Sequence, residues 1–110
     1  MKSLAIGVST YAFNNFITVG GTTSEPFAMP VKANQIEFQV TFGAPIVTAS
    51  MALHGSYDGE TFFHVYEFEA APDGIIDLIN YILPFIAVHM DTIDEDIPIT
   101  VTLRPKNARL

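Results

Sequence analysis

Residues 35–42, "QIEFQVTF", decide the fold: Ile36, Phe38, Val40 and Phe42 are apolar, and Glu37, Gln39 and Thr41 between them are polar. An extended chain sends successive side chains to opposite faces, so this period of two describes a strand with one buried face and one wet face. Gly43, Ala44 and Pro45 then break the run.

Working outward, "IVTASMAL" (46–53) offers Val47, Ala49, Met51 and Leu53 as a second inner face. Asp58–Gly59 follows as a hairpin signal, because glycine accepts the positive φ that primed turns require. "TFFHVYEFEA" (61–70) is the partner strand, with Phe62, His64, Tyr66 and Phe68 expected on one face and Phe63 and Val65 on the other. Both faces are apolar, which fits a central strand, a surface covered by an arm or a subunit, or a platform for stacking sugars. In "IPITVTL" (97–103), Ile97, Ile99, Val101 and Leu103 point inward. The segment "DGIIDLINYILP" (73–84) has apolar spacing compatible with either a helix or a strand. We read a strand over 75–79, a bend at Asn80–Tyr81 and a further strand in "PFIAVHM". Short runs separated by Gly, Pro and Asp turns predict an all-β chain, an antiparallel, jelly-roll-like β-sandwich.

Residues 1–34 differ, with Gly20–Gly21, Pro26, Pro30 and scattered aromatics. They read equally as a first strand or two with a long loop, or as an extended arm packed on a neighbour. The organisation expected is therefore an arm with first strands (1–34), a sandwich core (35–104) and a basic tail (105–110).

At 110 residues the chain has the length of one domain. It lacks cysteine, which removes disulfides, thiolate metal sites and a cysteine nucleophile. A small secreted scaffold is usually stapled, so folding in a reducing cytosol is expected. The net charge of -7 argues against nucleic-acid and membrane partners, since both are anionic. Between Ser3 and Leu103 the only base is Lys32, whereas all 12 acids lie there. Arg104, Lys106 and Arg109 cluster at the end, so an acidic body with a basic tail could pair head to tail with another copy, or simply carry a solvated tail. Hydrophobic residues make up 49% of the chain, yet no run approaches the roughly 18 apolar residues of a membrane span. The excess suits a surface covered by other subunits.

No enzyme signature is present. His54, Asp58, Glu60 and His64 flank one turn and have metal-ligand chemistry, but lack a fixed ligand spacing, so hairpin residues are the preferred reading. Asp91, Asp94, Glu95 and Asp96 form an oxygen-rich stretch with calcium chemistry, but without the spacing or glycine of an EF-hand. A solvated acidic turn is preferred, and no cofactor is expected. There is no GxSxG elbow, and Glu67 and Glu69, two apart on one strand face, look to solvent.

The series "HGSYDGETFFHVYEF" (54–68), "PFIAVHMD" (84–91) and "IPITVTLRP" (97–105) resembles small virion proteins of tailed bacteriophages over roughly residues 50–104. The resemblance implies a non-enzymatic structural protein of the particle, a capsid decoration or auxiliary head protein. It would be made in the host cytoplasm, carried in the virion and partnered by the major capsid protein or by copies of itself in a homo-oligomer. Expected interface residues are the N-terminal aromatics Tyr11, Phe13 and Phe16 and the tail bases Arg104, Lys106 and Arg109. The layout is also similar to discoidin-like and carbohydrate-binding β-sandwich modules, which implies glycan attachment as an alternative; a phage tail or connector subunit is another. This chain carries "FIAVHMD" where such modules often have an arginine-rich strand. In such modules the Asp–Gly corner is a structural hairpin, and Asp58–Gly59 is read here as the tight turn of a scaffold hairpin, with His54 and His64 as packing or interface residues rather than catalysts.

Overall fold

A computed structural model of the chain describes residues 1–17, 20–43, 49–69, 75–80, 83–93 and 97–107, apart from the side chains at 16, 17, 68, 69, 75–78 and 93. The described residues form strands and no helix. The strands are β1 (Lys2–Ser3), β2 (Thr10–Ile17), β3 (Thr22–Thr23), β4 (Phe27–Ala28), β5 (Gln35–Phe42), β6 (Ala49–Ser56), β7 (Phe63–Glu69), β8 (Ile75–Ile79), β9 (Phe85–Ile93) and β10 (Pro98–Lys106). They make two sheets, one in the order β1-β4-β9-β6-β7 with β3 also on β9, the other β2-β10-β5-β8.

The pairing follows a nested rule. Omitting β1, the first strand pairs with the last (β2 with β10), the short β3 and β4 pair with β9, β5 pairs with β8, and β6 with β7. All of these pairs are antiparallel, so the chain is one long hairpin folded back on itself, with its two halves wrapped into two layers. That is the jelly roll, a double-sheet answer to exposed strand edges. Only β1 departs from the rule, lying parallel to β4.

One core lies between the sheets, and alternation builds it. Strand β5 sends Ile36, Phe38 and Val40 inward from one layer, while β6 and β9 send Met51, Leu53, Ile86, Val88 and Met90 from the other, all at 1% exposure or less. Strand β10 alternates throughout, and Ile97, Ile99, Val101 and Leu103 are buried as expected. Each such side chain contributes roughly 1.5–3 kcal/mol through burial, offset in large part by the conformational entropy lost on folding. The shortest molecular dimension is 20 Å, which suits two sheets about 10 Å apart with side chains outside them.

The first strands, β1 to β4, are built into both layers. Strand β2 is a full member of its sheet, and Phe13 faces Val101. Phe13 therefore falls in the inward row and packs in the core at 7% exposure, which corrects its expected place at an interface. Ser24 follows β3, where its amide donates to the Val88 carbonyl (2.8 Å) and its hydroxyl accepts from the Val88 amide (2.9 Å). A side chain thus satisfies the backbone where β3 and β4 are interrupted.

Candidate functional site

The β6–β7 hairpin combines two of the chain's 3 histidines, His54 and His64, with the exposed aromatic rings of Tyr57, Phe63 and Tyr66. Its tip is longer than the two-residue turn expected from Asp58–Gly59. Strand β6 ends at Ser56 and β7 begins at Phe63, and two polar side chains organise the residues between. The Ser56 hydroxyl, fully buried, accepts from the amides of Asp58 (3.2 Å) and Gly59 (2.9 Å) and donates to Asp58 Oδ1 (2.9 Å). The same Oδ1 accepts from the amides of Glu60 and Thr61, both at 2.9 Å. These two backbone bonds, followed by that from Ser56, hold the Asp58 carboxyl down at about 2. Gly59 has φ of +83°, the left-handed value for which glycine suits the turn.

Strand β7 changes face partway along. Leu53 pairs with Tyr66 and His54 with His64, so Val65 is an extra residue, a β-bulge. The strict alternation expected over 61–69 is corrected by it. His64 and Glu67, three residues apart, now sit on the same outer face, with His64 Nε2 3.6 Å from Glu67 Oε2. Strand β9 has a comparable irregularity where Ser50 pairs with Thr92 but Met51 with Met90, leaving Asp91 between.

Across the outer face of this sheet lie all 3 histidines of the chain. His54 on β6 is central. Its ring centroid is 4.8 Å from that of His89 on β9, with planes only 18° apart, and 5.7 Å from that of His64 on β7, tilted by 47°. The stack has room because each member faces an alanine across the β6–β9 pair: His54 faces Ala87, and His89 faces Ala52. Both alanines are buried although they lie on the outer side. His89 Nε2 is 3.2 Å from Asp91 Oδ1, and its Nδ1 is 2.6 Å from the Thr23 hydroxyl of β3. His54 is held below the ordinary imidazole value, first by partial burial and then by the neighbouring His89 and His64.

Beside this row is an open groove of about 390 Å³, lined by Tyr57, Phe63, His64, Val65 and Leu83. Tyr57 and Phe63 are 67% and 50% exposed, and Tyr66 nearby is 37% exposed. Strand β7 ends the order of its sheet, so these rings stand at the margin of the sandwich. His64 belongs to both the groove and the row.

The residues expected to carry function are scattered. Tyr11 is exposed on β2, the Phe16 side chain and Arg109 lie outside the described residues, and Phe13 is in the core. Arg104 and Lys106 are strand residues of β10 rather than part of a tail. Arg104 faces Glu37 across β10 and β5 and donates to its Oε2 through Nε at 3.0 Å and through Nη2, while Lys106 Nζ is 3.4 Å from Oε1. The bond from Arg104 leads in holding the Glu37 carboxyl below its ordinary value. The expected basic patch is in this part an internal ion cluster. Of the calcium candidates, Asp91 pairs with His89, and Asp94, Glu95 and Asp96 lie outside the described residues. Among the described residues no group of three or more His, Cys, Asp or Glu side chains is placed to hold a metal ion.

His54 and His64 were visible in the sequence as a pair, but His89, Thr23 and Leu83 were not. Alternation in "FIAVHMD" sends His89 outward, yet only the jelly-roll topology makes β9 the neighbour of β6. The fold and site define a jelly-roll β-sandwich with an aromatic margin and a histidine row. Compared with protein-family models, curated protein sequences and solved structures, the chain finds no match.

Proposed function

We propose that the chain is a non-enzymatic structural subunit of a bacteriophage particle, a capsid decoration or auxiliary head protein that cements neighbouring subunits. One observation carries the reading: the exposed rings of Tyr57 and Phe63 line a groove walled by Val65 and Leu83 at the margin of the sandwich, and the exposed Tyr66 stands on the same edge strand. Aromatic side chains concentrated at one edge are the usual anchors of protein contacts. The interface thus moves from the terminal segments to the β6–β7 hairpin. The occupant we assign is a second copy of the chain, because repetition in a shell lets modest contacts act together.

Light scattering over a concentration series tests this. The expected result is an oligomer whose mass falls to that of a single chain in Phe63→Ser and Tyr57→Ser. A native chain that stays monomeric at every concentration refutes the self-association. A second reading, carbohydrate binding, is favoured by Tyr57 and Phe63 flanking an open groove beside the polar ring of His64. It predicts a monomer whose melting temperature rises with a specific glycan and loses that response in Tyr57→Ser.

A further inference from the structure

We propose that the row His64–His54–His89 is an acid sensor: on taking up protons, its neighbouring imidazoles repel one another, loosen the β6–β7 margin and release whatever contact the Tyr57–Phe63 groove makes. The release rests on the assembly reading above; the sensing does not.

His54 and His89 form a close stack, with ring centroids 4.8 Å apart and planes 18° from parallel. Protonating both would put two positive rings face to face. The facing groups make the centre the weak point. From β7, Glu67 lies against His64, and from β9, Asp91 lies against His89. Thr23 of β3 serves His89 in either state, since its hydroxyl donates to a bare Nδ1 and accepts from a protonated one. His54 has an imidazole on each side, and the attraction of Asp91 is weaker than burial and the two like charges together.

The sign follows. Because the folded state holds His54 below its ordinary value of 6.5, the unfolded chain binds the first protons. Stability is intact above that value and declines as the pH falls from it toward the folded value. His64 couples this loss to the groove, since its ring lines both, and the Val65 bulge next to it gives the edge strand a place to yield.

The chain makes the inference readable. Imidazole is the side chain whose ordinary value lies between pH 5 and 8, and all 3 histidines of the chain are in the row. Uptake by an acidic chain otherwise relieves charge repulsion and stabilises it, so a destabilisation in this window has the opposite sign from the background.

The test is the thermal midpoint and the scattering mass at pH 7.5 and 5.5, for the native chain, His54→Gln and His64→Gln. His64 is exposed, so its variant keeps the comparison usable if His54→Gln fails to fold. The native midpoint is expected to fall by about 4 °C or more, the response of a small domain to a roughly fivefold change in its folding constant. Both variants should show a smaller fall. The native oligomer should dissociate at pH 5.5 while the oligomer of His54→Gln, whose substitution lies outside the groove lining, persists. An unchanged or raised native midpoint at pH 5.5, or an undiminished fall in the variants, overturns the sensor. A chain monomeric at both pH values overturns the assembly reading and the release, while the midpoints still decide whether the row senses acid.

Discussion

Gly55→Ala probes the wall of the groove with a single methyl group. A Cβ at this position would lie 2.5 Å from Leu83 Cδ1, 3.1 Å from Leu83 Cγ and 2.9 Å from Val65 Cγ2. Gly55 is not among the glycines with positive φ, so alanine suffers no backbone strain there. It should gain about 0.5–1 kcal/mol, the usual handicap of glycine within a strand. Against this, forcing extra volume into packed surroundings costs roughly 1–3 kcal/mol. Leu83 is 7% exposed and borders the groove, so its side chain can relieve part of the clash on that side only by leaving its packed position. The steric effect should win, leaving a net loss of about 1 kcal/mol and a midpoint lower by about 4–8 °C. Denaturant unfolding of Gly55→Ala, Leu83→Ala and the double variant separates the causes. In the Leu83→Ala background the closest clash is gone, so adding Gly55→Ala should cost much less than in the native chain, a coupling between touching residues. Equal effects of Gly55→Ala in the two backgrounds, or a native-background variant more stable than the parent, would refute the packing of Leu83 over Gly55.

Three further outcomes follow from single side chains. Ser24→Ala should destabilise the chain by about 1–3 kcal/mol in urea unfolding, because the buried Val88 amide loses its acceptor while the alanine offers none. Asp58 should titrate by NMR with a midpoint about 2, and Asp58→Ala should lower the thermal midpoint at pH 6. Because that carboxyl is depressed in the folded state, its stabilisation is present above the unfolded value of 3.8 and disappears as the pH falls toward 2, so native and variant should converge there. Arg104→Ala should cost less than about 1 kcal/mol, with the difference shrinking in high salt, since the ion cluster on Glu37 is partly solvated.

The layers were legible because strand alternation is local. Ile36–Phe38–Val40, Met51–Leu53 and Ile99–Val101–Leu103 declared their inward faces from spacing alone, and the core uses those faces. The strand over 75–79 was also legible once β-branched residues were weighed against helical spacing. Phe13 was not, because its role depends on β2 pairing with β10, a partner at the far end of the chain that gives it an inward register. Arg104 and Lys106 read as part of a basic tail, solvated or pairing with another copy, because nothing local shows that β10 runs on through Lys106 beside Glu37.

The candidate site was half legible for a related reason. A hairpin brings His54 and His64 together through adjacent sequence, but whether they face each other turns on one inserted residue. Without the Val65 bulge, pairing Leu53 with Tyr66 would put Val65 opposite His54 and send His64 to the other face. His89 is supplied by the nesting of the jelly roll, which sets β9 against β6 so that the two alanines and two histidines alternate across the pair. Such a row requires one bulge, one pairing and two small residues at once, and each alone has an ordinary structural explanation. Their coincidence at the edge strand that carries the exposed aromatics is what turns three ordinary histidines into a candidate control for the contact made there.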